Sequence, residues 1–191
     1  KGTVLVVDWL WSWGTHIREA CPPSHQPVNM EDRPLSHPLS QRALGWWGMG
    51  LRVERIASWK DNYTYLLVCE ATGDAAVVDA PELGPVVQRV DAIGARVRQI
   101  LSTHHHPDHS MANPELAKLY DAPVLGHVSD RERLPGFTRG LEEGDTVAVG
   151  NHSARVLHIP AHTRGHIAYV FDDALAVFSG VVSKVAAYGF L

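Results

Sequence analysis

The run His104-His105-His106-Pro107-Asp108-His109 constrains this chain more than any other stretch, because four side chains able to ligate a metal, His104, His106, Asp108 and His109, must be held within six residues. An apolar, strand-like segment, Gln99–Ser102, leads into it. Beyond it Asn113 suits a helix N-cap and Pro114 the first helical position, with Leu116, Leu119 and Tyr120 continuing the helix. The cluster is therefore expected in a loop between a strand end and a helix. In extended backbone, residues two apart project the same way, so His104 and His106 can grip one ion while Asp108 and His109 face a second. Imidazole and carboxylate donors suit zinc, iron or manganese, and the lack of cysteine in the cluster argues against a purely structural zinc clamp. An exposed histidine tract, with an affinity tag as a variant, leaves unexplained an in-phase aspartate between two structural elements.

The chain has 191 residues, 45% hydrophobic and 20% charged, which suits one globular domain with a buried core. A formal net charge of −4 with no long basic run gives no electrostatic reason for a nucleic-acid or anionic-membrane partner, and small-molecule chemistry is expected. Cys21 and Cys69 form no CxxC pair, which indicates neither a disulfide framework nor a cysteine zinc site and points to a reducing cytoplasm. Asp8 interrupts the apolar opening and no small-residue cleavage site follows, so no signal peptide is expected. No segment approaches the roughly 18 consecutive apolar residues of a membrane helix.

Composition changes near residue 49. Upstream, Trp9, Trp11, Trp13, Trp46 and Trp47 flank an aperiodic stretch, Cys21–Ser40, crowded with Pro, Ser, His and charge. Residues 1–48 are expected to form a disordered extension, with an aromatic docking arm as the alternative. The chain starts at Lys1, whereas Met49 stands just before regular sequence, where the domain is expected to begin. Alternation marks strands at Leu51–Ala57 and Tyr63–Cys69 around the turn Lys60-Asp61-Asn62. A short apolar strand is expected at Ala75–Asp79, then an amphipathic helix through Val86, Val90 and Ile93 stopped by Gly94. Further strands are expected at Val124–His127, Thr146–Gly150, Ala154–Ile159, Ile167–Phe171 and Leu175–Phe178. Strands outnumber helices, which predicts a mixed α/β or α+β sandwich.

A second constellation, Pro160-Ala161-His162-Thr163-Arg164-Gly165-His166, also follows a strand. His162 can supply the third ligand of the first metal, with Thr163 and His166 orienting ligands. His105 is expected to point the other way, and His127, His152 and His158 to be ordinary strand or loop residues.

With Asp61-Asn62-Tyr63, the strand ending in Val78-Asp79, Thr103–His109 and His162-Thr163-Arg164-Gly165-His166-Ile167 in place, the chain resembles the metallo-β-lactamase fold hydrolases over residues 51–180. Within them it is similar to glyoxalase II, the hydroxyacylglutathione hydrolases. The resemblance implies an α+β fold, an αββα sandwich with two metals, normally zinc, at the sheet edges. His104, His106 and His162 would hold one ion, Asp108 and His109 would help to hold the other, and Asp108 is carried over as the catalytic carboxylate too. The implied activity is hydrolysis of a glutathione thioester, such as S-lactoylglutathione, by metal-activated water.

The resemblance also implies a Gly-Asp pair after the last strand, its aspartate bridging both metals. Here Ser179-Gly180 is followed by Val181, and residues 181–191 read as a non-matching tail. The sequence thus predicts the N-terminal part of the sandwich with its second half incomplete, and the apparent truncation predicts impaired thioesterase activity. It also predicts at most one tightly held metal at residues 49–180, and an exposed apolar sheet face able to self-associate. An iron-dependent persulfide dioxygenase of the same fold and a non-catalytic remnant are the alternatives.

Overall fold

The structure is a computed structural model that describes residues 50–60 and 62–181 and, for the backbone alone, β1 (Leu5–Val7). Its first sheet begins as an antiparallel meander of β2 (Leu51–Ser58), β3 (Asn62–Cys69) and β4 (Asp74–Val78), in which Leu51 pairs with Cys69 and Tyr65 with Val78. The sheet then continues in parallel through β5 (Arg96–Leu101), β6 (Val124–His127) and β7 (Phe137–Leu141). Parallel neighbours cannot be joined by a tight turn. The crossovers are α1 (Gly84–Ile93) between β4 and β5, and a segment containing α2 (Pro107–Ser110) and α3 (Asn113–Tyr120) between β5 and β6. Gly94, at φ 65°, ends α1 in the left-handed conformation that glycine adopts without a Cβ penalty, as the sequence expects.

The second sheet has the order β1-β11-β10-β9-β8, with β8 (Thr146–Val149), β9 (His152–His158), β10 (Ile167–Phe171) and β11 (Ala176–Phe178) antiparallel and β1 parallel to β11. Strands β8 and β9 alternate: Val147, Val149, Ala154 and Val156 are buried, while Thr146, Ala148, Ser153 and Arg155 are exposed. The first sheet is different, because α1 and α3 cover its other face. Adjacent residues therefore feed two cores. Leu67, Leu101 and Leu125 meet Val156, Tyr169, Phe171 and Phe178 between the sheets. Leu66, Ile100 and Val124 meet Val86, Val90 and Leu116 beneath the helices. Double-sided burial explains the apolar runs Ala75–Val78 in β4 and Val124–Gly126 in β6. Truncating one such leucine to alanine costs about 2–5 kcal/mol. This is the expected α+β sandwich, built from one helical and two sheet layers.

Several boundaries differ from the expectations. β5 starts three residues before Gln99 and β9 two before Ala154, while β7 was not expected. Asn113 does not cap α3: Ala112 holds the N-cap position, and the Asn113 Nδ2 donates instead to Ser102 Oγ at 2.9 Å in the core. β1 is a strand inside the extension expected to be disordered. The rest of residues 1–49 and the tail beyond Val181 lie outside the described residues. Among the described residues no helix is long and apolar enough to cross a membrane.

Candidate metal centre

Strands β4 and β5 are parallel, with Val78 paired to Leu101, so Asp79 and the segment Ser102-Thr103-His104 leave the first sheet at one edge. The second sheet meets that edge: Ile167 N donates to Thr103 O at 2.9 Å, and the buried Tyr169 hydroxyl donates to Ser102 O at 3.0 Å. These bonds bring the 159–166 loop over the 103–110 loop. Carboxyl ends of parallel strands commonly carry ligand sites.

His104, His106 and His162 each offer a ring nitrogen, and these atoms all lie within 4.8 Å of one another. Their rings meet edge-on with centroids 4.7–4.9 Å apart, and His106 Nδ1 lies 3.0 Å from His162 Nε2. The tautomer of His104 follows from its neighbours. Asp79 Oδ2, an acceptor only, takes the Thr103 hydroxyl proton at 2.7 Å, so Thr103 Oγ1 accepts from His104 Nδ1 at 3.0 Å. His104 Nε2 is left with a lone pair, and it is buried without a hydrogen-bond partner among the described residues. Orphaned buried nitrogen costs free energy unless something binds it. A cation between three imidazoles satisfies it, so the residues fit a metal ion. Burial, and then the neighbouring imidazoles, lower the pKa of His104 and His106, and burial leads the lowering at His162, favouring the neutral forms that ligate metal.

Asp108 and His109 sit differently. They lie on α2, not in the extended loop expected, because Pro107 opens a helical turn with His106 at its N-cap and Ser110 Oγ donates to His105 O and His106 O. His109 Nδ1 bonds Asp79 Oδ2 at 3.1 Å, which turns His109 Nε2 toward Asp108 Oδ2, 3.4 Å away. Burial pulls the His109 pKa down, but the bond to Asp79 and the charges of Asp79 and Asp108 outweigh it and leave a net rise. Asn62 Nδ2 donates to the Asp108 carbonyl. Beside His109 lies a small hollow whose lining includes Asn62, Tyr65, Asp79, Phe178 and Gly180. Val181, next along the chain, offers no donor. Among the described residues His104, His106 and His162 are the only group of three donors close enough to share an ion.

The remaining expected residues divide. His166 donates Nε2 to Ser179 O at 2.7 Å and stands with its ring centroid 5.1 Å from that of His104, its Nδ1 buried and unpaired. Thr163 Oγ1 is buried with no hydrogen-bond partner among the described residues. His105 turns to Asp130, its Nδ1 3.2 Å from Oδ2. His152 pairs with Asp173 at 2.6 Å, while His127 and His158 stack with centroids 4.1 Å apart. Sequence reasoning gave no role to Asp79, Asn62 or Asp130. Only the end of an apolar strand in an acid, Val78-Asp79, hinted at the first.

Two sheets that deliver a His-x-His turn and a distant histidine to one edge define a metal-binding sandwich. Residues 59–184 match the metallo-beta-lactamase superfamily, and the chain belongs to it. It is similar to the hydroxyacylglutathione hydrolase of Rhodospirillum rubrum, 43% identical over 130 residues, covering 68% of this chain and 51% of the relative. That of Fuscovulum blasticum is 45% identical over 132 residues, covering 69% and 52%. Among solved structures, ETHE1 from Myxococcus xanthus superposes with a TM-score of 0.58 at 32% identity, covering 67% of this chain and 56% of that one. The chain spans about half the length of the curated relatives it matches.

Proposed function

We propose that His104, His106 and His162 hold one zinc ion and that the chain is a thioester hydrolase of the hydroxyacylglutathione hydrolase kind, acting on acylated glutathione such as S-lactoylglutathione. The observation that carries this reading is the orphaned His104 Nε2 converging with two further imidazoles. Identity above 40% to hydroxyacylglutathione hydrolases supports the substrate class. Bound there, zinc supplies Lewis acidity toward a carbonyl and makes water acidic enough to attack near neutral pH. Asp79 and Thr103 fix the His104 tautomer. In this reading Asp108, half exposed on α2 beside His109, would accept a proton from the attacking water. The departing thiol, with an ordinary pKa of about 8.5, leaves as thiolate and needs no dedicated acid.

Asp108 and His109 alone are too few to hold a second ion tightly, and Val181 stands where the resemblance puts a bridging carboxylate. Turnover is therefore slow. Residues 49–180 form the metal-binding domain in this reading, with 1–48 an extension and 181–191 a tail. A cytoplasmic setting suits Cys69, a buried free thiol among the described residues. Half-buried Leu157, Val170 and Val177 on the second sheet support self-association, which sedimentation would detect.

The test is hydrolysis of S-lactoylglutathione by zinc-loaded and chelator-stripped protein, with slow turnover expected only when loaded. Iron or manganese in place of zinc is the variable to scan. One observation favours a second reading, an iron-dependent persulfide dioxygenase: among the described residues the single three-donor group serves one ion. Bound iron with oxygen uptake on glutathione persulfide, and no thioester hydrolysis, would select it. No turnover with any divalent metal would leave a non-catalytic remnant of the fold.

A further inference from the structure

The three donors come from two loops on different sheets, so something must fix the distance between the loops before a metal arrives. We propose that Asp130 is a positioning residue for this centre: its carboxylate is wedged between the two ligand loops and sets their separation. The inference rests on the reading that His104, His106 and His162 hold the metal.

Asp130 ends the short 3-10 turn Val128–Asp130 after β6 and is 1% exposed. Its Oδ2 accepts from Nδ1 of His105, the residue between ligands His104 and His106. Its Oδ1 accepts from the Arg133 guanidinium at 2.7 Å. The other loop rests on the same carboxylate. At Gly165, between His162 and His166, a Cβ would lie 2.5 Å from Asp130 Cγ and 2.6 Å from each oxygen. Such contacts are not tolerated, and the Gly165 backbone is outside the left-handed region, so glycine is needed here for space and not for conformation. His158 Nε2 donates to Arg164 O at 2.9 Å and pins the adjacent peptide.

A buried carboxylate is costly, and an apolar side chain could fill the same volume. Only an acceptor, however, also holds the His105 Nδ1–H and with it the backbone between two ligands. The carboxylate bonds His105 and Arg133 and abuts Gly165, so it acts on the ligands through His105 and Gly165. Removing the acceptor loosens the first loop, and adding bulk at residue 165 pushes the second away.

The test measures zinc affinity by chelator competition, the visible spectrum of the cobalt-substituted protein, and thermal unfolding of the metal-free form. Asp130→Ala is expected to weaken zinc binding by about 10–100-fold, the usual effect of losing a partner behind the ligands. Asp130→Asn, which keeps the shape and one acceptor, should restore most of that loss. Gly165→Ala should weaken binding by at least about tenfold and shift the cobalt bands, while Gly165→Ala/Asp130→Ala should bind no worse than Asp130→Ala, because the clash is gone. The proposal is overturned if zinc affinity and cobalt spectrum stay as in the wild type while only metal-free stability falls, or if the two losses add in the double variant. If His162→Ala binds zinc as the wild type does, the metal reading itself fails, and this inference with it.

Discussion

Asp79 stands behind both donor groups at the sheet edge, reaching His104 through Thr103 and His109 directly, yet the groups differ in what they can hold. In the His104–His106–His162 group, three neutral imidazoles from two loops converge, and one carries a buried lone pair with nothing to bind. In the Asp108–His109 group, two donors on one helical turn face each other, with only Val181 following Gly180 where a third could come. Coordination number, more than donor chemistry, separates them. Three protein ligands with open positions make a catalytic-type site, whereas two leave most of an ion's shell to water.

The sharpest way to break this comparison is His162→Ala. It should lower zinc affinity more than about 100-fold in chelator competition, beyond the range for partners behind the ligands. Next comes Asp79→Ala, which strips the acceptor from Thr103 N, Thr103 Oγ1 and His109 Nδ1 together. It should cost about 3 kcal/mol in denaturant unfolding and loosen both groups, since hydrogen-bonded groups lose a buried charged partner. Val181→Asp should sharpen the contrast from the other side, adding a weak second zinc equivalent in calorimetry. His109→Ala should have the smallest effect, changing affinity at the three-histidine group by less than about threefold, because it supplies no donor there.

Much of this arrangement was legible before the fold was known, for local reasons. Alternation in Leu51–Ala57 and Tyr63–Cys69 marked a hairpin, and Gly94 marked a helix end, because period and turn chemistry are written in neighbouring residues. The spacing of His104 and His106 predicted a shared ion with His162 as its third ligand, and the fold brings these three imidazoles together. The rest depends on distant partners. β7 contains Gly140 and exposed Arg139, and it forms because β6 offers it a parallel edge. Helix α2 is only four residues, Pro107–Ser110, with no period to read. Asp79 works through residues 24 and 30 positions away, and Asp130 through one 25 away, so no local pattern marks either. Asn113 misled because its side chain bonds Ser102 across the core while Ala112 takes the cap.

The claim that three histidines hold one ion, and that the neighbouring pair holds none tightly, is tested most directly by counting metal. Protein loaded with excess zinc and dialysed exhaustively should retain one equivalent by elemental analysis. Two retained equivalents, or none, would contradict it.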